Sequence, residues 1–308
     1  MQNEVRLLSK IMAVMMLAAA LVGGASACAS CGAGSASGWA GADSMGISWA
    51  DELSKTTTSE ETVSEGEGGE VGALSNEPLP SIAPSALYAD QIGEKRMVMA
   101  YAGVPGEASF IEGSILLPLD QVFADNGTLK SPDEIALLLG AAGISEVDPL
   151  VIYGDNFVYQ TFAFWVMKYL GHQDVVLLEG TRADHVAAGL EFVATPTPRA
   201  GAVYNPEPNL GLLTDALPAD GQLVDARSPA EYAADHLDGA INIDSSAILD
   251  ADGLLADDEA LASAFSGLNQ ERPVVVYSSG KGGVASIVWY ALYTHGYDAS
   301  LATMESLS

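Results

Sequence analysis

The chain reads as an α/β protein, two doubly wound units with parallel sheets behind a leader and a linker, and three observations predict it. Runs of β-branched and aromatic residues without polar interruption, such as Val274-Val275-Val276-Tyr277, suit strands buried on both faces of a parallel sheet. Such runs alternate with helical patterns at the spacing of strand-helix-strand crossovers. The second half of the chain also repeats the first. Pro149-Leu150-Val151-Ile152-Tyr153-Gly154, followed by Trp165 and Tyr169, matches Pro273-Val274-Val275-Val276-Tyr277-Ser278, followed by Trp289 and Tyr293, at one constant offset. Residues 110–115 answer residues 236–241 at nearly the same offset.

From the N-terminus, Arg6 and Lys10 precede an apolar stretch over residues 11–22, and small residues lead to Cys28. That stretch is too short to span a bilayer comfortably and ends in small residues, so residues 1–27 are expected to be a signal peptide. Ala25-Ser26-Ala27 fits simple cleavage, and the same residues with Cys28 fit lipid attachment to the cysteine. Both readings stay open, and both place the folded part outside the cytoplasm, at the membrane through a lipid or signal anchor, or secreted or periplasmic. Residues 28–77 form an acidic Gly/Ser/Thr/Glu-rich linker with too few large apolar residues to offset the entropy of ordering.

The two copies are expected over residues 78–200 and 209–308, the first the more degenerate. In the first, Met97-Val98-Met99-Ala100 is set against Leu223-Val224-Asp225-Ala226 of the second. Strands are predicted over residues 150–153, 175–178, 222–225 and 274–277. Helices are predicted over 132–140 behind a Ser131 cap, 160–170 before Gly171, 230–235 behind Ser228, and 257–265. Four prolines within residues 196–208 predict an extended, stiff connector. After its last strand the first copy keeps a helical pattern over residues 183–189, whereas residues 302–308 offer the second copy no comparable closing helix.

The sequence after Pro273 is the most informative. A buried strand runs to Tyr277, then Ser278-Ser279-Gly280-Lys281-Gly282-Gly283 turns into an amphipathic helix, so that backbone N–H groups can converge as an anion cradle. Together with Asp225-Ala226-Arg227-Ser228 at a strand end and the turn His236-Leu237-Asp238-Gly239-Ala240-Ile241-Asn242, this segment resembles the rhodanese family over roughly residues 221–302. The duplication is similar to the two-domain thiosulfate and 3-mercaptopyruvate sulfurtransferases. The resemblance implies sulfur transfer through a cysteine persulfide at the first loop position. Here that position is Ser278. It also implies that Asp225, Arg227 and His236 are structural residues of the strand-to-helix connection and the turn.

A persulfide needs a polarizable sulfur whose thiolate is accessible near neutral pH, and a hydroxyl cannot form the S–S bond. The chain has two cysteines, Cys28 and Cys31, both far upstream of the loop. The expected function is therefore binding of a small sulfur oxyanion or a protein partner at the loop. An active sulfurtransferase and a cell-surface interaction module are the alternatives. Ser278, His236 and Asp225 do not read as a hydrolytic triad, because the loop lacks the G-x-S-x-G elbow. Gly280-Lys281 lacks the other residues of a nucleotide P-loop. The histidines show no metal-ligand spacing, and neither metal nor cofactor is expected.

Charge narrows the partners. With 41 acidic against 12 basic residues and a net charge of −29, the chain is repelled by nucleic acid and anionic lipid. After residue 204 the only basic residues are Arg227, Arg272 and Lys281. One of the three falls in the candidate loop.

Overall fold

The structure is a computed structural model that describes residues 86–87, 89, 98–279 and 283–308. The expected signal segment, the linker with Cys28, and Gly280, Lys281 and Gly282 lie outside the described residues.

Two parallel sheets are built in the same way. In the first, β1 (Ala86–Leu87), β2 (Val98–Tyr101), β4 (Ile115–Leu116), β5 (Leu150–Tyr153) and β6 (Val175–Leu178) lie in the order β1-β6-β5-β2-β4. The second has β8 (Gln222–Asp225), β9 (Ile241–Asn242), β10 (Val274–Ser278) and β11 (Ala299–Thr303) in the order β11-β10-β8-β9. Every pairing in both is parallel. Between parallel strands the chain must cross over; helices lie in the connections β4–β5, β5–β6, β8–β9, β9–β10 and β10–β11, whereas β2 reaches β4 through turns and β3 (Phe110–Ile111). A short antiparallel pair, β3 with β7 (Phe192–Val193), stands beside the first sheet.

The helices follow their sequence signals. α1 (Pro132–Ala141) begins at a Ser131 capping box with Pro132 in its first turn, where a missing N–H costs nothing. α2 (Phe157–Tyr169) starts earlier than its apolar pattern predicts, because Asn156 accepts from the Val158 amide and caps it. α3 (Arg182–Ala187) and α4 (Pro229–Ala234) have capping boxes on Thr181 and Ser228. α5 (Asp258–Ala264) is capped by Asp257. α6 (Gly283–Thr294) follows the loop after β10, and after β11 the chain closes with a single helical turn, α7 (Met304–Leu307).

The register corrects the alignment of the two copies. Val98 pairs with Leu150 and Tyr101 with Tyr153, just as Gln222 pairs with Val274 and Asp225 with Tyr277. Tyr101, rather than Met99, therefore occupies the place of Asp225. The amides of Ala102 and Ala226, next along, donate to the carbonyls of Tyr153 and Tyr277. Residues 97–100 had suggested a different match because their apolar character fits either register.

One apolar core joins the two halves. α2 and α6 are apolar nearly all round, as helices buried on most faces must be. Phe164 of α2 meets Trp289, Tyr290 and Tyr293 of α6 with ring centroids 5.1–6.3 Å apart. Inside each helix a tryptophan stacks on the tyrosine one turn later, Trp165 on Tyr169 and Trp289 on Tyr293, the geometry of i,i+4 neighbours. The hydroxyls of Thr161 and Ser286 share a buried 2.8 Å hydrogen bond across the two helices.

The connector is a docked strap. Its extended proline-rich backbone is held on the first half by an Arg199–Asp148 ion pair at 3.3 Å, by Asn205 on Glu146, and by amide bonds from Glu207 and Asn209 to the carbonyls of Leu170 and Tyr169. Tyr204 is buried on the ring of His172.

Candidate functional site

The site expected from the sequence lies at the C-terminal edge of the second sheet, where loops leaving parallel strands form ligand crevices. Ser278 is the last residue of β10, pairs with Thr303 of β11, and is 1% exposed. Its hydroxyl makes one hydrogen bond among the described residues, a long 3.4 Å donation to the Ser279 carbonyl. Ser279 is half-buried, and Gly283 opens α6 with its carbonyl accepting from Ser286 at 2.7 Å. Gly280, Lys281 and Gly282 complete the expected loop and lie outside the described residues.

Side chains alternate across a strand, and this separates the site from its expected neighbours. Val274 and Val276 pack toward α6, while Leu223, Val275 and Tyr277 form a cluster on the opposite face. Ser278 follows in the alternation on the α6 side. Asp225 and Arg227 belong with Tyr277 on the other side, where they form a closed network. Asp225 is fully buried and takes a 2.6 Å ion pair from the Arg227 guanidinium, and its side chain also accepts from the Arg227 amide at 2.9 Å. The same guanidinium donates to the Asp235 carbonyl at the end of α4, and Asn242 holds the carbonyls of Asp225 and Arg227. These bonds fix the β8–α4 connection.

Electrostatics match that geometry. Hydrogen bonding to Asp225 raises the proton affinity of Arg227 further above its ordinary value. Burial, with a further upward push from Asp225, moves the Tyr277 phenol up to about 12. Tyr277 stays a neutral donor, to Asp225 at 2.8 Å, while accepting from the Leu237 amide at 3.2 Å.

His236 is exposed and stacks on Tyr232 at 4.0 Å, with a ring nitrogen bonded to the Tyr232 carbonyl. Neither it nor Asp225 bonds to Ser278, so a Ser-His-Asp triad does not assemble. Among the described residues no cluster of three His, Cys, Asp or Glu side chains is placed to hold a metal ion.

The equivalent edge of the first sheet is filled by its own side chains. Gly154 stands where the second sheet has Ser278, and a Cβ there would collide with the Ala102 carbonyl oxygen. Tyr101 donates to Asp155 at 2.9 Å, and Arg182 stands 4.0 Å from the same carboxylate. Arg182 also donates at 2.6 Å to the carbonyl of Ala108, whose φ of 50° lies in the left-handed region. Burial first, then the bond to Asp155, raises the proton affinity of the Tyr101 phenol. Tyr153 repeats the role of Tyr277: its hydroxyl accepts from the Ile111 amide and pairs with Ser114.

Sequence reasoning missed the hydroxyl of Tyr277 as the link between Asp225 and the His236 turn, and it missed the Thr161–Ser286 bond. The paired tyrosines at 153 and 277 were the available signal for the first. Nothing in the spacing marked the second.

Residues 211–305 match the profile of the Rhodanese-like domain. They form a rhodanese-like domain. The sulfur carrier protein TtuD of Thermus thermophilus is 32% identical over 177 residues, covering 48% of this chain and 62% of TtuD. A relative from Saccharopolyspora erythraea is 30% identical over 181 residues, covering 50% of this chain and 64% of the relative. The chain thus spans less than two thirds of the length of either. Among solved structures, the 3-mercaptopyruvate sulfotransferase SseA of Escherichia coli superposes with a TM-score of 0.63 at 18% identity, over 71% of this chain and 98% of SseA. That likeness bears on the fold, an α/β rhodanese fold with parallel sheets, and it extends beyond the rhodanese-like domain into the first half of the chain.

Proposed function

We propose that the protein is an exported rhodanese-like protein, held at the membrane through Cys28, whose Ser278 loop binds a small oxyanion or the acidic group of a partner and forms no persulfide. The observation that supports this reading is the placement of Ser278. A buried hydroxyl ends β10 where the resemblance implies a cysteine, and the chain's two cysteines stand at 28 and 31. A hydroxyl in that position can donate to an anion but cannot accept sulfane sulfur.

Charge bookkeeping supports the anion. Of the three basic residues after 204, Arg227 is consumed by Asp225, and Arg272 donates to the carbonyls of Asp220 and Gly221 at the opposite end of the strands. Lys281, by sequence, falls in the glycine-rich turn before α6. Affinity is expected to be weak, because a net charge of −29 opposes any approaching anion.

Calorimetric titration of the full chain with sulfate and thiosulfate tests the reading. Saturable binding that Lys281→Ala weakens is the expected result. No binding by the wild type, or binding indifferent to Lys281, overturns the anion site and leaves the fold serving as an interaction module.

A further inference from the structure

A second site is built where the two halves and the strap meet. Lys168 near the end of α2, Tyr293 near the end of α6, and Glu207, Asn209 and Leu212 of the strap line a cavity of about 230 Å³. Pockets for drug-sized ligands run to about 300–1,000 Å³, so this cavity admits a smaller molecule. It is also separate from the Ser278 loop. Tyr293 lies at the far end of α6 from Gly283, a helical rise of about 15 Å.

Unsatisfied donors come from three of the lining side chains, and Glu207 adds one carboxylate. The Lys168 ammonium has three protons and gives two, to the carbonyls of Gln173 at 3.0 Å and His172 at 3.5 Å. The Tyr293 hydroxyl and the Asn209 amide nitrogen have no hydrogen-bond partner among the described residues. His172, which also lines the cavity, is spoken for on both ring nitrogens, by Tyr204 and by the Asp148 carbonyl. Glu207 is exposed.

Lys168 is held in an apolar setting, 5.5 Å from the Phe164 ring, and burial lowers its proton affinity. An anion in the cavity would offset that desolvation and supply the acceptor its third proton lacks.

We infer that this cavity binds a small carboxylate, with its oxygens on Lys168 and Tyr293 and its short carbon chain against Leu212. Because the walls come from α2, α6 and the strap, the ligand ties the halves together and stabilises the folded chain by mass action.

Titration of the full chain with acetate and with lactate, at constant ionic strength, followed by thermal melting and by calorimetry, tests this. The wild type is expected to show a saturable rise in Tm with a dissociation constant in the millimolar range. Lys168→Met, which keeps the packing on Phe164, is expected to weaken binding at least tenfold, and Tyr293→Phe several-fold. Lys281→Ala is expected to leave carboxylate binding in place, so failure here and failure of the loop site read out separately. Absence of saturable binding, or unchanged affinity in Lys168→Met, overturns the inference. If Lys168→Met does not fold, unchanged affinity in Tyr293→Phe overturns it instead.

Discussion

The Tyr277 hydroxyl donates to the Asp225 carboxylate across 2.8 Å, between residues that are also register partners on β10 and β8. The bond joins the strand that ends in the candidate loop to the strand that starts the Arg227 brace, and it is buried. Replacing Tyr277 by Phe removes one donor to a charged acceptor and is expected to cost about 1.5–3 kcal/mol of stability. Asp225→Ala should cost more, about 3–5 kcal/mol, because it leaves the Arg227 guanidinium 7% exposed without its counter-charge. Urea denaturation of both variants checks the order. Equal losses would mean that the ion pair contributes little.

The two sheet edges should respond oppositely to a new side-chain atom. Gly154→Ala forces a Cβ against the Ala102 carbonyl and is expected to lower stability by about 1–3 kcal/mol, the usual cost of overpacking. Ser278→Cys exchanges one small buried side chain for another and should cost less than about 1.5 kcal/mol. Thermal melts of the two variants decide it, and a well-tolerated Gly154→Ala would contradict the close approach seen at the first edge.

His172 predicts an acid-sensitive strap. It is buried beneath Tyr204, and desolvation lowers its pKa from the ordinary 6.5 despite the nearby carboxylates of Asp148 and Asp174. A lowered folded value means that the unfolded chain takes up the proton first as pH falls. The stability due to neutral His172 is complete above about pH 6.5 and is lost as pH drops through the folded value. The difference in Tm between wild type and His172→Gln should therefore narrow between about pH 7.5 and about pH 5. Parallel curves over that window would contradict it.

Lipid attachment at Cys28 is testable by fractionation. Cys28→Ala should release the protein from membranes, since a chain of net charge −29 has no electrostatic affinity for anionic lipid. Unchanged detergent partitioning of the variant would remove the lipid anchor from the account.

Much of both sheets was legible because buried parallel strands announce themselves as short apolar runs. Residues 150–153, 175–178 and 222–225 are strands with the expected bounds. β10 runs one residue further, to Ser278, because pairing with Thr303 extends the ladder past the apolar run. The start of α2 was misjudged since Asn156 caps through its own side chain, which apolar periodicity does not register. Tyr101 was placed out of register because Met99 and Ala100 are apolar in either alignment; carrying the β5-to-β10 offset onto the neighbouring strand would have found it. The strap, the Thr161–Ser286 bond and the Lys168 cavity come from residues far apart in sequence. Such contacts leave no periodic trace.

The central claim is that Ser278 ends persulfide chemistry while the loop around it is kept. The most direct measurement is cyanide-reactive sulfane sulfur on the purified chain after incubation with thiosulfate or mercaptopyruvate. The wild type is predicted to carry none, and Ser278→Cys to acquire some, because the substitution puts a thiol where the buried hydroxyl now ends β10. Stoichiometric sulfane sulfur on the wild type would contradict the account.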